Sequence, residues 1–209
     1  MYTTNVSRFS QGRFLLSAAA PGQFPADMGA EVAFVGRSNA GKSSAINAIT
    51  QRHGLARTSK TPGRTRLLNF FELGTNQRIV DLPGYGYASG PAAERVTWQP
   101  LIDALKPRAS LRGLFMIIDS RRGLTDGDDA LFDWAEPPLR IHVLLTKADK
   151  LNRSEGAKVL RETRAIIGDR ATAQLFSVPD KTGIDEAQKL LGAWLDDKVF
   201  TPRPESPRP

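Results

Sequence analysis

Along this chain, short and nearly unbroken apolar runs alternate with stretches in which apolar residues recur every three or four positions. Glu31–Val35, Gly113–Asp119 (GLFMIID), Ile141–Thr146 and Ala173–Ser177 are of the first kind. They have the length of strands and are apolar enough to be covered on both faces. Leu67–Leu73 and Gln77–Asp81 read as two more strands. The Gly74-Thr75-Asn76 turn between them is too short for a crossover, so this pair is antiparallel. Helical spacing is predicted for Ser44–Gln51, through Ile46 and Ile49, and for the stretch holding Val96, Leu101, Ile102 and Leu105, which Pro100 should kink or split. Asp128–Ala135 reads as a short helix ended by Pro137-Pro138. Asn152 with Glu155 forms a capping-box signature ahead of Val159, Leu160, Thr163, Ile166 and Ile167. A last helix opens at Asp185 and Gln188, and its Ala187, Leu190, Leu191, Trp194 and Leu195 form a core-facing stripe.

Strand and helix in alternation predict an α/β domain: a mostly parallel, doubly wound sheet of six strands, one of them an antiparallel edge strand, with helices on both faces. The domain is expected to span 29–198. Residues 1–28 would be an extension packing Phe9, Phe14, Leu15 and Leu16 against its edge, and 199–209, with TPRPESPRP, a Pro-rich tail that cannot bury itself.

The chain of 209 residues is long enough for one sizeable core. It has 29 Lys and Arg against 22 Asp and Glu, a formal charge of +7, which favours a polyanionic partner such as RNA or an anionic surface. Without cysteine there is no disulfide partner, no thiol catalysis and no Cys-ligated zinc. No window holds eighteen consecutive apolar residues, so no membrane insertion is expected. The acid-free start, with Arg8, Arg13 and many Ser and Thr, has some transit-peptide character, but an ordered N-terminal segment in a cytoplasmic protein is the preferred reading. His53 and His142 stand alone, without a ligand or carboxylate at useful spacing, and Asp126-Gly127-Asp128-Asp129 reads as a turn and helix cap.

The chemistry lies at the predicted C-terminal strand ends, where ligands bind in such sheets. Gly36–Ser43 (GRSNAGKS) matches G-x-x-x-x-G-K-S between a strand and a helix. Gly36 and Gly41 allow the loop of Gly36, Arg37, Ser38, Asn39, Ala40, Gly41, Lys42, Ser43 and Ser44 to turn its N–H groups inward around a polyphosphate. Lys42 would neutralise charge between the β and γ phosphates, and the Ser43 hydroxyl would face Mg2+. Asp81-Leu82-Pro83-Gly84 is a D-x-x-G, in which the carboxylate holds the metal through water and the Gly84 N–H senses the γ-phosphate. Thr146-Lys147-Ala148-Asp149 matches T-K-x-D, whose carboxylate accepts from guanine N1–H and its 2-amino group. Adenine lacks that donor pair, and an unpaired buried carboxylate costs about 1–3 kcal/mol, which favours GTP over ATP.

GRSNAGKSS, SKTPGRTR, DLPGYGYA, IDSRRGL, LLTKADK and the Ser177 loop, taken together, resemble the EngB group of ribosome-biogenesis GTPases within the TrmE-Era-EngA-YihA superfamily. The resemblance covers roughly Phe14–Leu195. It implies a Ras-like fold, binding of GTP and GDP, slow GTP hydrolysis, and a monomer acting in assembly of the large ribosomal subunit on its precursor RNA, with a link to bacterial cell division and septation. By position, Gly63, Arg64, Thr65, Arg66 and Leu67 match the first switch, whose Thr65 would ligate Mg2+ beside Ser43. Asp81–Gly84 match the second, and Lys42, Thr65 and Gly84 would be the catalytic set. Asn39 matches the asparagine that helps hold a monovalent cation in potassium-activated relatives, so K+ is a candidate cofactor. Tyr85 stands where many GTPases carry the water-orienting Gln. Phe176, Ser177 and Val178 match the last guanine-binding loop. Pro179 departs from the family there and leaves the Val178 N–H to serve guanine O6. The alternative is a basic RNA-binding module with a mainly structural guanine nucleotide.

Overall fold

The computed structural model describes residues 7–56, 67–84, 100–135 and 137–197. Seven strands form one sheet: β1 (Arg13–Ala18), β2 (Ala30–Gly36), β3 (Leu68–Gly74), β4 (Gln77–Asp81), β5 (Leu111–Asp119), β6 (Arg140–Thr146) and β7 (Thr172–Leu175), joined in the order β1-β3-β4-β2-β5-β6-β7. β2 lies between β4 and β5 and is parallel to both, while β6 and β7 extend the parallel array. β3 is antiparallel to β4 and to β1. The α/β class and the hairpin are thus as the pattern predicts, with one strand more than the six expected. The reversed strand lies one position in from the edge, because β1 covers it.

β1 was not visible as a strand because RFLLSA has no clean alternation, and its pairing slips at a bulge between Phe14 and Leu16. Phe9 is buried as expected, and Leu16 packs against the sheet. Phe14 and Leu15, expected to pack likewise, are 55% and 39% exposed. The segment is held by its backbone ladder to β3 and by Arg8, which forks onto Asp196.

α1 (Lys42–Thr50) and α5 (Ile184–Asp196) cover one face of the sheet. There Ile46, Ile49, Ala187, Leu191, Trp194 and Leu195 meet Val32, Phe34, Phe115 and Ile117. Phe34 and Phe115 stack at 4.9 Å between centroids. Gly113 is required beneath Trp194, since a Cβ there would come within 2.4 Å of the indole. The other face carries α2 (helical residues 100–105), α3 (Asp126–Trp134) and α4 (Arg153–Ile167), with Leu101, Ile102, Leu105, Leu131, Phe132 and Ile167 packed on Ala33, Val35, Leu114, Met116 and Ile118. Successive residues of β2 and β5 therefore enter opposite cores, which is why these strands read as unbroken apolar runs.

The predicted caps are present. Asn152 accepts from the Glu155 N–H at 3.0 Å while Glu155 returns a bond to the Asn152 N–H. At α3, Thr125 and Asp128 do the equivalent, with the Thr125 N–H donating to Asp128 at 2.8 Å. Val96, Tyr85, the basic residues from Arg57 to Arg66, and the tail from 199 lie outside the described residues.

Candidate functional site

β2 is the point from which the chain departs to one side through β4 and to the other through β5, so a crevice opens at its C-terminal end. Gly36 ends β2 so close to β5 that a Cβ would lie 2.6 Å from the Ile117 carbonyl. The loop then turns through Asn39 (φ 63°) and Gly41 (φ 98°), both left-handed, and enters α1 at Lys42. That start is two residues earlier than the apolar pattern indicates, because loop geometry and not burial sets it. The N–H groups of the first turn of α1 thus face the crevice end of the sheet.

Asp81, the last residue of β4, is 7% exposed and its carboxylate forms a close ion pair with the Lys42 ammonium. The Leu82 N–H donates to the Phe34 carbonyl at 3.0 Å, tying the D-x-x-G segment to β2. Gly84 lies against the phosphate-loop candidate, where an added Cβ would be 3.0 Å from Ser38 Oγ and 3.3 Å from its Cα. Pro83 separates them in sequence from Asp81. Lys42, Ser38, Asp81 and Gly84 are therefore gathered at one place. Of the first-switch candidates only Leu67 is described; Gly63, Arg64, Thr65 and Arg66 are not.

On the other side, β6 ends at Thr146, whose hydroxyl lies 2.5 Å from the Ala40 carbonyl and 3.0 Å from that of Ile118. This side chain bridges three segments of the site. Lys147, left-handed at φ 58°, crosses to the loop and donates to the Asn39 carbonyl at 2.6 Å. The Ala148 N–H is bound by the Phe176 carbonyl at 3.2 Å, and the Phe176 N–H by Leu145 at 2.8 Å, which brings the loop after β7 beside the T-K-x-D segment. Ser177 is buried and its hydroxyl donates to Asp149 Oδ1 at 3.0 Å. Lys150, at 3.1 Å from Asp149 Oδ2, and Ser177 together hold the Asp149 carboxyl below its ordinary pKa range, so it is ionised as a base-reading carboxylate must be. Val178 is exposed beside it.

One member of this cluster was not identified from sequence. Asp119, the last residue of β5, accepts from Lys147 Nζ at 2.9 Å and from Arg121 Nη2 at 2.7 Å. Arg121 above all, and then Lys147, hold the Asp119 carboxyl far below the usual carboxylate range. The only sequence signal was a carboxylate closing a buried strand at the ligand-binding end. His142 is buried between Thr172 (2.6 Å) and Gln174 (3.0 Å) and takes no part in the site.

With this geometry in view, the chain was compared with known proteins. Residues 31–147 match the family model described as 50S ribosome-binding GTPase. The "Probable GTP-binding protein EngB" of Coxiella burnetii strain CbuK_Q154 is 48% identical over 195 residues, covering 91% of this chain and 95% of that protein. Its counterpart in strain RSA 493 / Nine Mile phase I is 49% identical over 192 residues, covering 90% and 94%. Among solved structures, a GTP-binding protein engB superposes with a TM-score of 0.63 at 20% identity, covering 79% of this chain and 98% of that one. Era in complex with MgGDPNP and nucleotides 1506–1542 of 16S ribosomal RNA gives 0.60 at 19% identity, covering 84% and 59%. At such identities these two structures establish a shared fold.

Proposed function

This chain belongs to the EngB family of GTP-binding proteins and is a GTPase, and from that premise we propose that it uses GTP as a switch in assembly of the large ribosomal subunit. The observation that carries the proposal is the meeting of three separate sequence segments at one crevice, with Asp149 ionised and oriented by Ser177 and Lys42 beside Asp81.

In this reading Gly36–Ser44 wrap the phosphates, Lys42 neutralises the β and γ oxygens, and the Gly84 N–H reports the γ-phosphate. Asp149 reads guanine N1–H and the 2-amino group, Ser177 aims it, the Val178 N–H serves O6, and Lys147 and the Phe176 segment frame the base. Mg2+ fits the donor set, since hydroxyl and carboxylate oxygens suit a hard cation and Asp81 reaches Lys42, the chain neighbour of Ser43. Ser43 and Thr65 would hold it directly and Asp81 through water, and when bound it would offset charge on the phosphates. Asn39, with its strained backbone, is the residue proposed for K+. Tyr85 in place of a water-orienting Gln makes intrinsic turnover slow, so stimulation by K+ or by the ribosomal partner is part of the proposal. The first switch, ordered by GTP, would create the surface that engages the precursor, and loss of that step would impair cell division and septation. A monomer in the bacterial cytoplasm completes the reading. No helix among the described residues is long and apolar enough to cross a membrane.

The test is co-sedimentation of the full chain with purified ribosomal subunits in GTP, GDP or no nucleotide. Retention by the large subunit at least tenfold greater in GTP than in GDP is expected. Equal retention in all three would favour instead a basic RNA-binding module with a structural nucleotide.

A further inference from the structure

The turn after β5 presents two consecutive arginines beside the nucleotide crevice. The Arg122 and Gly123 N–H groups both return to the Asp119 carbonyl, at 2.9 and 3.2 Å, and Gly123 is left-handed at φ 66°, so the turn is pinned to the strand end. Between it and the phosphate loop lies a cleft of about 160 Å³, whose charged lining is Arg37, Arg121, Arg122 and Lys147 against the single carboxylate of Asp119. Arg121 and Arg122 are exposed. Neither has a role in the nucleotide site proposed above. Four cations against one anion, on a chain of formal charge +7, complement a polyanion. Paired guanidinium forks match phosphate oxygens in particular.

Asp119 joins this patch to the nucleotide site, because its Oδ2 accepts from both Arg121 and Lys147. One carboxylate oxygen therefore serves a surface arginine and the lysine that reaches the phosphate loop. We propose that the Arg121-Arg122 turn grips the phosphodiester backbone of RNA, and that Asp119 couples this contact to nucleotide retention. A phosphate that draws Arg121 off Asp119 leaves the carboxylate to Lys147, whose grip on the Asn39 carbonyl and the guanine site is then firmer. RNA binding slows nucleotide release, and by linkage the nucleotide-bound chain binds RNA more tightly by the same factor. Asp119 is thus a positioning residue acting through Lys147. The inference rests on the guanine reading of Thr146–Asp149.

The test follows release of fluorescent GDP from the full chain alone and with poly(U), poly-aspartate or inorganic phosphate. Poly(U) is expected to slow release about fivefold, a coupling of ordinary size, and the other two to leave it unchanged. Arg121→Gln with Arg122→Gln should release GDP slowly with or without poly(U), and bind poly(U) with a log-log salt slope reduced by about two, one unit per lost phosphate contact. Asp119→Asn should still bind poly(U) but release GDP quickly and without response to it, an uncoupling that simple loss of stability would not produce. The proposal is overturned if poly(U) leaves wild-type release unchanged or speeds it, if the double arginine variant responds like wild type, if Asp119→Asn keeps the response, or if poly-aspartate acts in place of RNA. Failure of the guanine reading is separately visible as displacement of the fluorescent GDP by ATP as readily as by GTP.

Discussion

Asp149 makes one of its hydrogen bonds to Ser177 Oγ, at 3.0 Å, and Lys150 faces its other oxygen. This arrangement aims the carboxylate without consuming its capacity to accept from a base. Asp149→Asn preserves shape but replaces an acceptor with a donor that opposes guanine N1–H. GTP affinity should fall at least tenfold, about 1.4 kcal/mol or more, with the near-ultraviolet circular dichroism of wild type, and calorimetric titration measures it. Equal affinity would remove Asp149 from base recognition. At this scale Lys42 and Asp149 were legible because their motifs are contiguous in the chain. Asp119 was not, because its partner Lys147 lies 28 positions away and nothing local marks the pair.

At the scale of elements, β6 and β7 are joined on one face by His142, whose two ring nitrogens face Thr172 and Gln174 while its edge meets Phe115. Burial lowers its pKa from 6.5 to about 4, only partly opposed by the Gln174 contact. The folded state thus disfavours the proton that the unfolded chain accepts below about pH 6.5. Stability is therefore complete above pH 6.5 and falls as pH drops through the window to about 4, by roughly 3 kcal/mol at most. Urea unfolding of His142→Gln across that window should show a flatter profile than wild type. Identical slopes would mean that another group sets the acid limb. The capping boxes of α3 and α4 and the apolar stripe of α5 were readable as local signals. β1 was not, since an edge strand with a bulge owes its existence to β3, more than fifty positions onward.

At the scale of the molecule, the end of the sheet opposite the site is closed by a buried ionic cluster. Glu31 is wholly buried at the start of β2, between Arg78 of β4 (2.8 Å) and Arg108 (2.7 Å). Arg78 also donates to the carbonyls of Ala26 and Met28, and Arg108 to that of Pro25. The link from β1 to β2 is thereby fastened beneath the domain. Asp27 adds bonds to the Ala109 and Ser110 N–H groups at 2.8 Å each. Glu31→Gln would leave two arginines largely buried without their counter-charge, at a cost of about 3–5 kcal/mol. Denaturant unfolding should show that loss while GTP affinity stays within about twofold, because the cluster is at the far end of β2 from Gly36. A loss below about 1 kcal/mol would mean that water or a rearranged partner replaces the carboxylate.

What the sequence determined by itself was the alternation of strands and helices, the phosphate-loop, D-x-x-G and T-K-x-D segments, and their placement at strand ends. Each is encoded by neighbouring residues: apolar periodicity follows from local backbone geometry, and the motifs are continuous because a loop must wrap one ligand. Tertiary structure alone decided that β1 would complete the sheet, that Asp119 would serve both Lys147 and Arg121, and that Glu31 would find Arg78 and Arg108, 47 and 77 positions away. A buried or shared charge is tolerated only where the fold delivers its counter-charge. Its meaning therefore resides in the juxtaposition and not in the stretch of chain that carries it.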